Sequence, residues 1–247
     1  MKYLFLFAHP DDETIASAGT IKQLSDTGNE VMLVSATDGA AGEVIPEAQQ
    51  KLSEFTSVGQ MRRNELQQVA NLLGITHLRV LDFVDGELNN KQVWGALTAA
   101  FVSIIDEFKP DVLVTFDHSG WYYHLDHVGV SIAATTAFHQ ASHVPDCFFL
   151  NYLRVKGSKW KYFYPEIVPI THYVDVTMQR DLKLQALNLH LSQDTKTVEK
   201  KIADEQTHYE LYQLVTATSK GEELFAKHSI FHKITPDINI DQITALS

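Results

Sequence analysis

Two short stretches hold the residues whose types and spacing could do chemistry. HPDDE, His9 to Glu13, ends an apolar run near the start of the chain, and HLDH, His124 to His127, lies over a hundred residues later. Three acids beside one imidazole crowd negative charge into a single turn, and such crowding costs free energy unless a cation offsets it. A metal ion is such a cation. Two imidazoles and one carboxylate, drawn from His9, Asp12, His124 and His127, would make a common catalytic zinc set with a position left open for water. The plainer reading is that each stretch is a solvated turn, with Asp126 capping the start of a helix. Residue types alone leave both readings open.

The two stretches act together only if the fold brings them to one place. Tyr3–Ala8 is a nearly continuous apolar run and reads as a strand covered on both faces. Thr14–Leu24 reads as a helix, Val31–Ser35 as a second strand, and Thr37–Gln50 as a glycine-rich loop. Met61–Leu73 carries Leu66, Val69, Ala70 and Leu73 at helical spacing, with Gly74 as the C′ residue just past its end. Leu78–Phe83 reads as a third strand. Val93, Leu97, Phe101, Ile104, Ile105 and Phe108 mark a long helix that Pro110 stops. Asp111–Phe116 is a fourth strand, Val128–Phe138 a helix and Cys147–Leu153 a further strand. This alternation predicts a Rossmann-like α/β fold, a mostly parallel, doubly wound sheet with helices on both faces. Ligands of such sheets sit beyond the carboxyl ends of the strands. HPDDE follows the first strand, DGAAGE the second and HLDH the fourth, so placing strands one and four side by side would face the two boxes across one cleft.

After Val155 the pattern changes. Lys156–Pro169 is aromatic-rich, with Trp160, Tyr162, Phe163 and Tyr164. Arg180–Leu191 and Val198–Thr216 read as helices, and the last thirty residues are poorly periodic. No Gly/Ser linker divides the chain. The expectation is one domain over 1–247, with an α/β core over 1–155 and a helical C-terminal part over 156–247 packed on it.

A net charge of −11 argues against a nucleic-acid footprint or an anionic membrane surface, though not against a small anionic substrate. Cys147 is the single cysteine, which rules out an internal disulfide and a cysteine-rich metal site. The short apolar start lacks a cleavage site, and no apolar stretch reaches membrane-spanning length, so the expectation is a cytoplasmic protein. A homo-oligomer is left open.

The same residues carry a resemblance. The chain resembles the LmbE-like, PIG-L type N-acetylglucosaminyl deacetylases, whose hallmarks are an AHPDDE box after the first strand (here Ala8–Glu13) and a later HxDH box (His124–His127). Thr37–Glu43, RRNELQQVANLLG at Arg62–Gly74, Phe83–Gly86 and KLQALNLHLSQ at Lys183–Gln193 are similar to further family segments. The resemblance covers roughly residues 1–195 and implies the following. His9, Asp12 and His127 would hold Zn2+, with Fe2+ also suited to the set. Asp11 would be the general base for the attacking water. His124, protonated and paired with Asp126, would stabilise the tetrahedral oxyanion. Arg62, Asp85 and Glu43 would contact an N-acetylated sugar conjugate. The family has Gly before the second box and Pro within it, where this chain has Tyr123 and Leu125. Tyr122 or Tyr123 would then close over the acetyl group or narrow the pocket. Two other readings rank lower. A phosphoesterase usually needs more carboxylates than these boxes supply, and a nucleotide-binding module would need a GxGxxG turn that is missing here.

Overall fold

Every residue from Tyr3 to Phe7 is at most 3% exposed, with no alternation of buried and exposed positions. A strand buried on both faces belongs in the middle of a covered parallel sheet, and there the computed structural model puts it. The structure describes residues 1–153, 170–204 and 207–235. Trp160–Tyr164 and the rest of the aromatic stretch, together with the last twelve residues, lie outside the described residues.

In chain order the elements begin β1 (Lys2–Phe7), α1 (Asp12–Asp26), β2 (Glu30–Ser35), α2 (Gln49–Leu52), α3 (Val58–Leu73) and β3 (His77–Val80). Then come α4 (Lys91–Phe108), β4 (Val112–Phe116), α5 (Gly120–Tyr123), α6 (Leu125–Gln140) and β5 (Cys147–Tyr152). The C-terminal part supplies β6 (His172–Asp175), α7 (Arg180–Leu189), α8 (Lys196–Asp204), β7 (Tyr209–Ala217), α9 (Ser219–His228) and β8 (His232–Lys233).

The strands form one eight-stranded sheet in the order β3-β2-β1-β4-β5-β7-β6-β8. The first five are parallel, and β7, β6 and β8 extend the sheet antiparallel. Helices flank both faces, with α1, α3 and α7 packed together and α4 against α6. The fold is therefore the mostly parallel Rossmann-like sheet read from the sequence. The chain winds outward from β1 to β3, then returns to place β4 on the other side of β1. That reversal opens a crevice at the carboxyl ends of β1 and β4, where the two boxes begin. No helix among the described residues is long and apolar enough to cross a membrane.

One expectation is overturned. Val198–Thr216 is not a single helix but α8 followed by the nine-residue strand β7. Glu, Leu and Gln in this stretch are good helix formers, yet the edge that β5 offers captures Tyr209–Ala217 as a strand.

A buried polar anchor ties β7 to the helix behind the first box. The Glu210 carboxylate accepts the backbone N–H groups of Gly19 (3.0 Å) and Thr20 (2.8 Å) in α1 and the Lys183 ammonium (2.8 Å) from α7. Lys183 and Glu210 side chains are each 2% exposed. Tyr212 adds a hydroxyl bond to Thr20 Oγ1 at 2.9 Å. Removing one partner of a buried pair strands the other charge, so Glu210→Ala is expected to cost about 3–5 kcal/mol. Chemical denaturation checks this, and a loss below about 1 kcal/mol, the range of an exposed pair, would show that the anchor carries no weight.

Candidate active site

The first box is a turn folded around its own carboxylate. Asp12, the first residue of α1, accepts the backbone N–H groups of His9 (2.7 Å) and Ala8 (3.2 Å) through Oδ2. The tightness of this turn puts Asp11 at φ 113° and ψ −25°. A non-glycine residue there costs about 1–3 kcal/mol and persists only when its surroundings over-determine it. Arg62 of α3 is one of those surroundings. Its guanidinium donates to the Pro10 carbonyl, to Gly39 O at 2.9 Å and to Asp11 Oδ2 at 3.2 Å. Gly39 leaves the room this needs, since a Cβ there would sit 2.3 Å from Arg62 Nη1.

The second box is held by the turn before it. Asp117, just past β4, accepts the backbone N–H of Ser119 (2.8 Å) and of Trp121 (3.0 Å). Trp121 is buried at φ 65°, ψ −70° and donates its indole N–H to Asn151 O at 3.2 Å. The turn delivers α6 so that the His127 ring stacks on Phe116, 4.1 Å between centroids and 9° between planes. The structure does not use Asp126 to cap α6. Instead its carboxylate accepts from Gly86 N (2.7 Å) and Leu88 N (3.0 Å), which fastens the loop after β3, and it faces His9 Nε2 at 3.2 Å.

Between the boxes, three donor side chains converge. His127 Nε2 lies 3.1 Å from Asp12 Oδ1 and 3.3 Å from His9 Nδ1, and His9 Nδ1 lies 3.5 Å from Asp12 Oδ2. Ligands about 2.0 Å from a tetrahedral zinc stand about 3.3 Å apart, so each of these contacts has ligand spacing, the two to Asp12 being made by different carboxylate oxygens, and nitrogens of His9, His124 and His127 also lie within 4.8 Å of one another. The opposite edge of the His9 ring is gripped by two carboxylates, Asp85 Oδ1 at 3.0 Å and Asp126. Carboxylates on the far nitrogen orient a ligating histidine and raise its basicity. The residues present therefore fit a divalent ion.

The electrostatics agree. Burial alone would lower the His9 pKa, but Asp12, Asp126 and Asp85 outweigh it and hold the pKa well above the usual histidine range. Burial would raise Asp12, but His127 and His9 hold it well below the usual carboxylate range. A proton on His9 thus stands where an ion would compete for the same donors. Asp11 goes the other way. Burial, only partly offset by Arg62, lifts it to about 6.

His124 corrects an expectation. It flanks the cluster, its ring 4.4 Å from that of His127 and 4.9 Å from that of His9. It is not the imidazolium partner of Asp126, whose oxygens are engaged by His9 and the 86–88 backbone. Burial, with His127 and His9 adding to it, brings His124 down to about 4, so it is neutral near pH 7. Its Nδ1 is buried without a hydrogen-bond partner among the described residues.

A cavity of about 300 Å³ opens on this cluster, with His9, Asp11, Asp12, His124 and His127 in its wall. Arg62 and Asp85 also line it, but both are engaged. Arg62 braces the first turn, and Asp85 holds His9 and accepts Ala41 N at 2.8 Å. Glu43 is exposed and outside the lining, which instead takes Gly42 and Gln193 from that side. Tyr122 lines the cavity and Tyr123 does not. Sequence reasoning passed over Gln193 and His190. Both lie in the KLQALNLHLSQ stretch, which marked a segment but gave no sign of which side chains turn inward.

Comparisons with known proteins identify the family and the fold. Residues 4–138 match the model of the family described as "PIG-L: GlcNAc-PI de-N-acetylase". A 1D-myo-inositol 2-acetamido-2-deoxy-alpha-D-glucopyranoside deacetylase of Saccharomonospora viridis is 31% identical over 228 residues, covering 78% of this chain and 85% of its own length. The protein of that name from Rhodococcus jostii is 29% identical, covering 91% and 90%. The zinc-inhibited form of a teicoplanin deacetylase shares the fold, with a TM-score of 0.66 at 19% identity over 89% of this chain and 99% of the other.

The donor geometry sets an expectation for metal content. Purified protein should carry about one divalent ion per chain, Asp12→Ala should lose most of it, and Asp11→Asn should keep it. Elemental analysis of the three proteins decides the matter, and undiminished metal in D12A would remove Asp12 from the ligand set.

Proposed function

The chain belongs to the GlcNAc-PI de-N-acetylase family, and we propose that it removes the acetyl group from a small N-acetylglucosamine conjugate, with Asp11 as general base. It is a metal-dependent deacetylase of an N-acetylated amino sugar. The finer reading is carried by one arrangement: the Asp11 carboxylate stands in the cavity wall beside His9, Asp12 and His127, whose pairwise contacts have ligand spacing, and burial pushes Asp11 up to about 6.

His9, Asp12 and His127 would hold the ion. When bound, it supplies Lewis acidity, which polarises the acetyl carbonyl and acidifies water. The remaining steps belong to the side chains. Asp11 takes the proton of the attacking water and returns it to the departing amine, a task that suits a carboxyl whose pKa is near the working pH. His124, neutral, donates a ring N–H to the acetyl oxygen as negative charge develops there. Asp126 and Asp85 keep His9 turned so that its Nδ1 faces inward. Arg62 holds the Asp11 carboxylate in place, and Tyr122 borders the space left for the acetyl group.

Two outcomes follow. Incubated with the N-acetylglucosaminyl-inositol (1D-myo-inositol 2-acetamido-2-deoxy-alpha-D-glucopyranoside) named for its relatives, with other N-acetylglucosamine conjugates and with phosphoesters, the metal-loaded protein should release acetate and free amine together. Phosphate without acetate would reverse the reading. The rate should also fall on the acid side as Asp11 gains its proton. Burial raises this pKa, so the active base form is lost as pH drops through about 6, or lower once a bound cation favours the carboxylate. Asp11→Asn should abolish that limb and lower kcat by about 10²–10⁴. A kcat–pH profile that keeps its acid limb in D11N would assign the base elsewhere.

A further inference from the structure

The Asp11 backbone is held from a second side, by a chain of buried polar groups that begins at the end of α7. His190, 0% exposed, sets its Nε2 3.0 Å from Glu13 Oε1. Thr14 Oγ1 donates to the same oxygen at 2.5 Å. The other oxygen of Glu13 accepts the Asp11 backbone N–H at 3.1 Å. His190 is itself located by α3, whose Glu65 carboxylate accepts Ser192 N at 2.9 Å and Ser192 Oγ at 2.7 Å.

We propose that His190 is a positioning residue for the reaction: through Glu13 it clamps the Asp11 amide and holds the strained backbone that keeps the Asp11 carboxylate in the cavity wall. The inference rests on the reading of Asp11 as general base. Its argument is one of geometry. The strained φ of Asp11 must be over-determined to persist. Arg62 restrains the carboxylate and the Pro10 carbonyl on one side, and the Glu13 oxygen restrains the amide on the other. Glu13 is 1% exposed, so its carboxylate has little solvent to solvate it and needs donors within the protein. His190 and Thr14 supply them. A chain of buried polar groups costs desolvation that an apolar filling would avoid. Its terminus at the one strained residue of the first box gives it a use that packing alone does not. With Nε2 as the donor, His190 Nδ1 is left without a partner in the described structure, so the imidazole is oriented at Nε2 alone, by Glu13 at 3.0 Å and by the neighbouring Thr14 Oγ1 at 3.3 Å.

Loss of the clamp lets Asp11 relax, and a shift of about 1 Å in a reacting group costs about 10² in rate. His190→Leu should therefore lower kcat about 10–100-fold, with KM and metal content little changed. His190→Gln, whose amide can donate to Glu13, should recover most of kcat. The decisive measurement is a double-mutant cycle with Asp11→Asn. If His190 acts through Asp11, the His190→Leu loss disappears in the D11N background. If its role is general support of the fold, the two losses multiply, and the inference is overturned. Should His190→Leu fail to fold, Glu13→Gln carries the same cycle, because it keeps the shape and removes one acceptor. Full kcat in D11N would sink the reading of Asp11 as base. Full kcat in His190→Leu, alongside an impaired D11N, would sink this inference alone.

Discussion

The site depends on what the Asp12 carboxylate does with its two oxygens. One closes the turn after β1 by accepting two successive backbone amides, and the other faces His127 from a distant part of the chain. One side chain thus ties local backbone geometry to a tertiary contact. The tightness of the turn forces the strain at Asp11, and the position of the turn at the crevice brings His9 and Asp12 against α6. Most of the remaining structure around the site is the means of keeping that carboxylate buried and partnered.

Charge explains why the cluster calls for a cation. Asp11, Asp12, Asp85 and Asp126 crowd around His9, and three of the four have their pKa lowered by neighbouring groups. Asp11 alone is raised, because burial dominates there and Arg62 offsets only part of it. Neighbouring aspartates in the chain are thus driven in opposite directions by their surroundings. That division suits one of them to bind and the other to move a proton.

Support for the first box comes from two helices that are remote in sequence. α3 contributes Arg62 to the carbonyl side of the turn and Glu65 to the segment after α7. That segment returns His190 to Glu13. The stretches RRNEL and LHLSQ, both similar to family segments, therefore meet in space around the first box. The antiparallel strand β7 completes the support by anchoring α1 through Glu210.

The topology was legible in the sequence because it rests on local pattern, whereas the residue types left the chemistry open until the family resemblance was added. A fully apolar strand read as sheet interior, helical periodicity placed the helices of the first half, and the rule that ligands gather beyond strand ends put HPDDE and HLDH in one cleft. Val198–Thr216 misled because its residues suit a helix, and only the open edge of β5 makes part of it a strand. The partner of Asp126 could not be read either. The resemblance implied a pairing with His124, whereas the fold turns Asp126 toward His9 and the 86–88 backbone. Residue types and spacing determined which groups are available. Tertiary structure decided which of them touch and which are charged, because burial and the field of distant side chains set a protonation state that no local window of sequence contains.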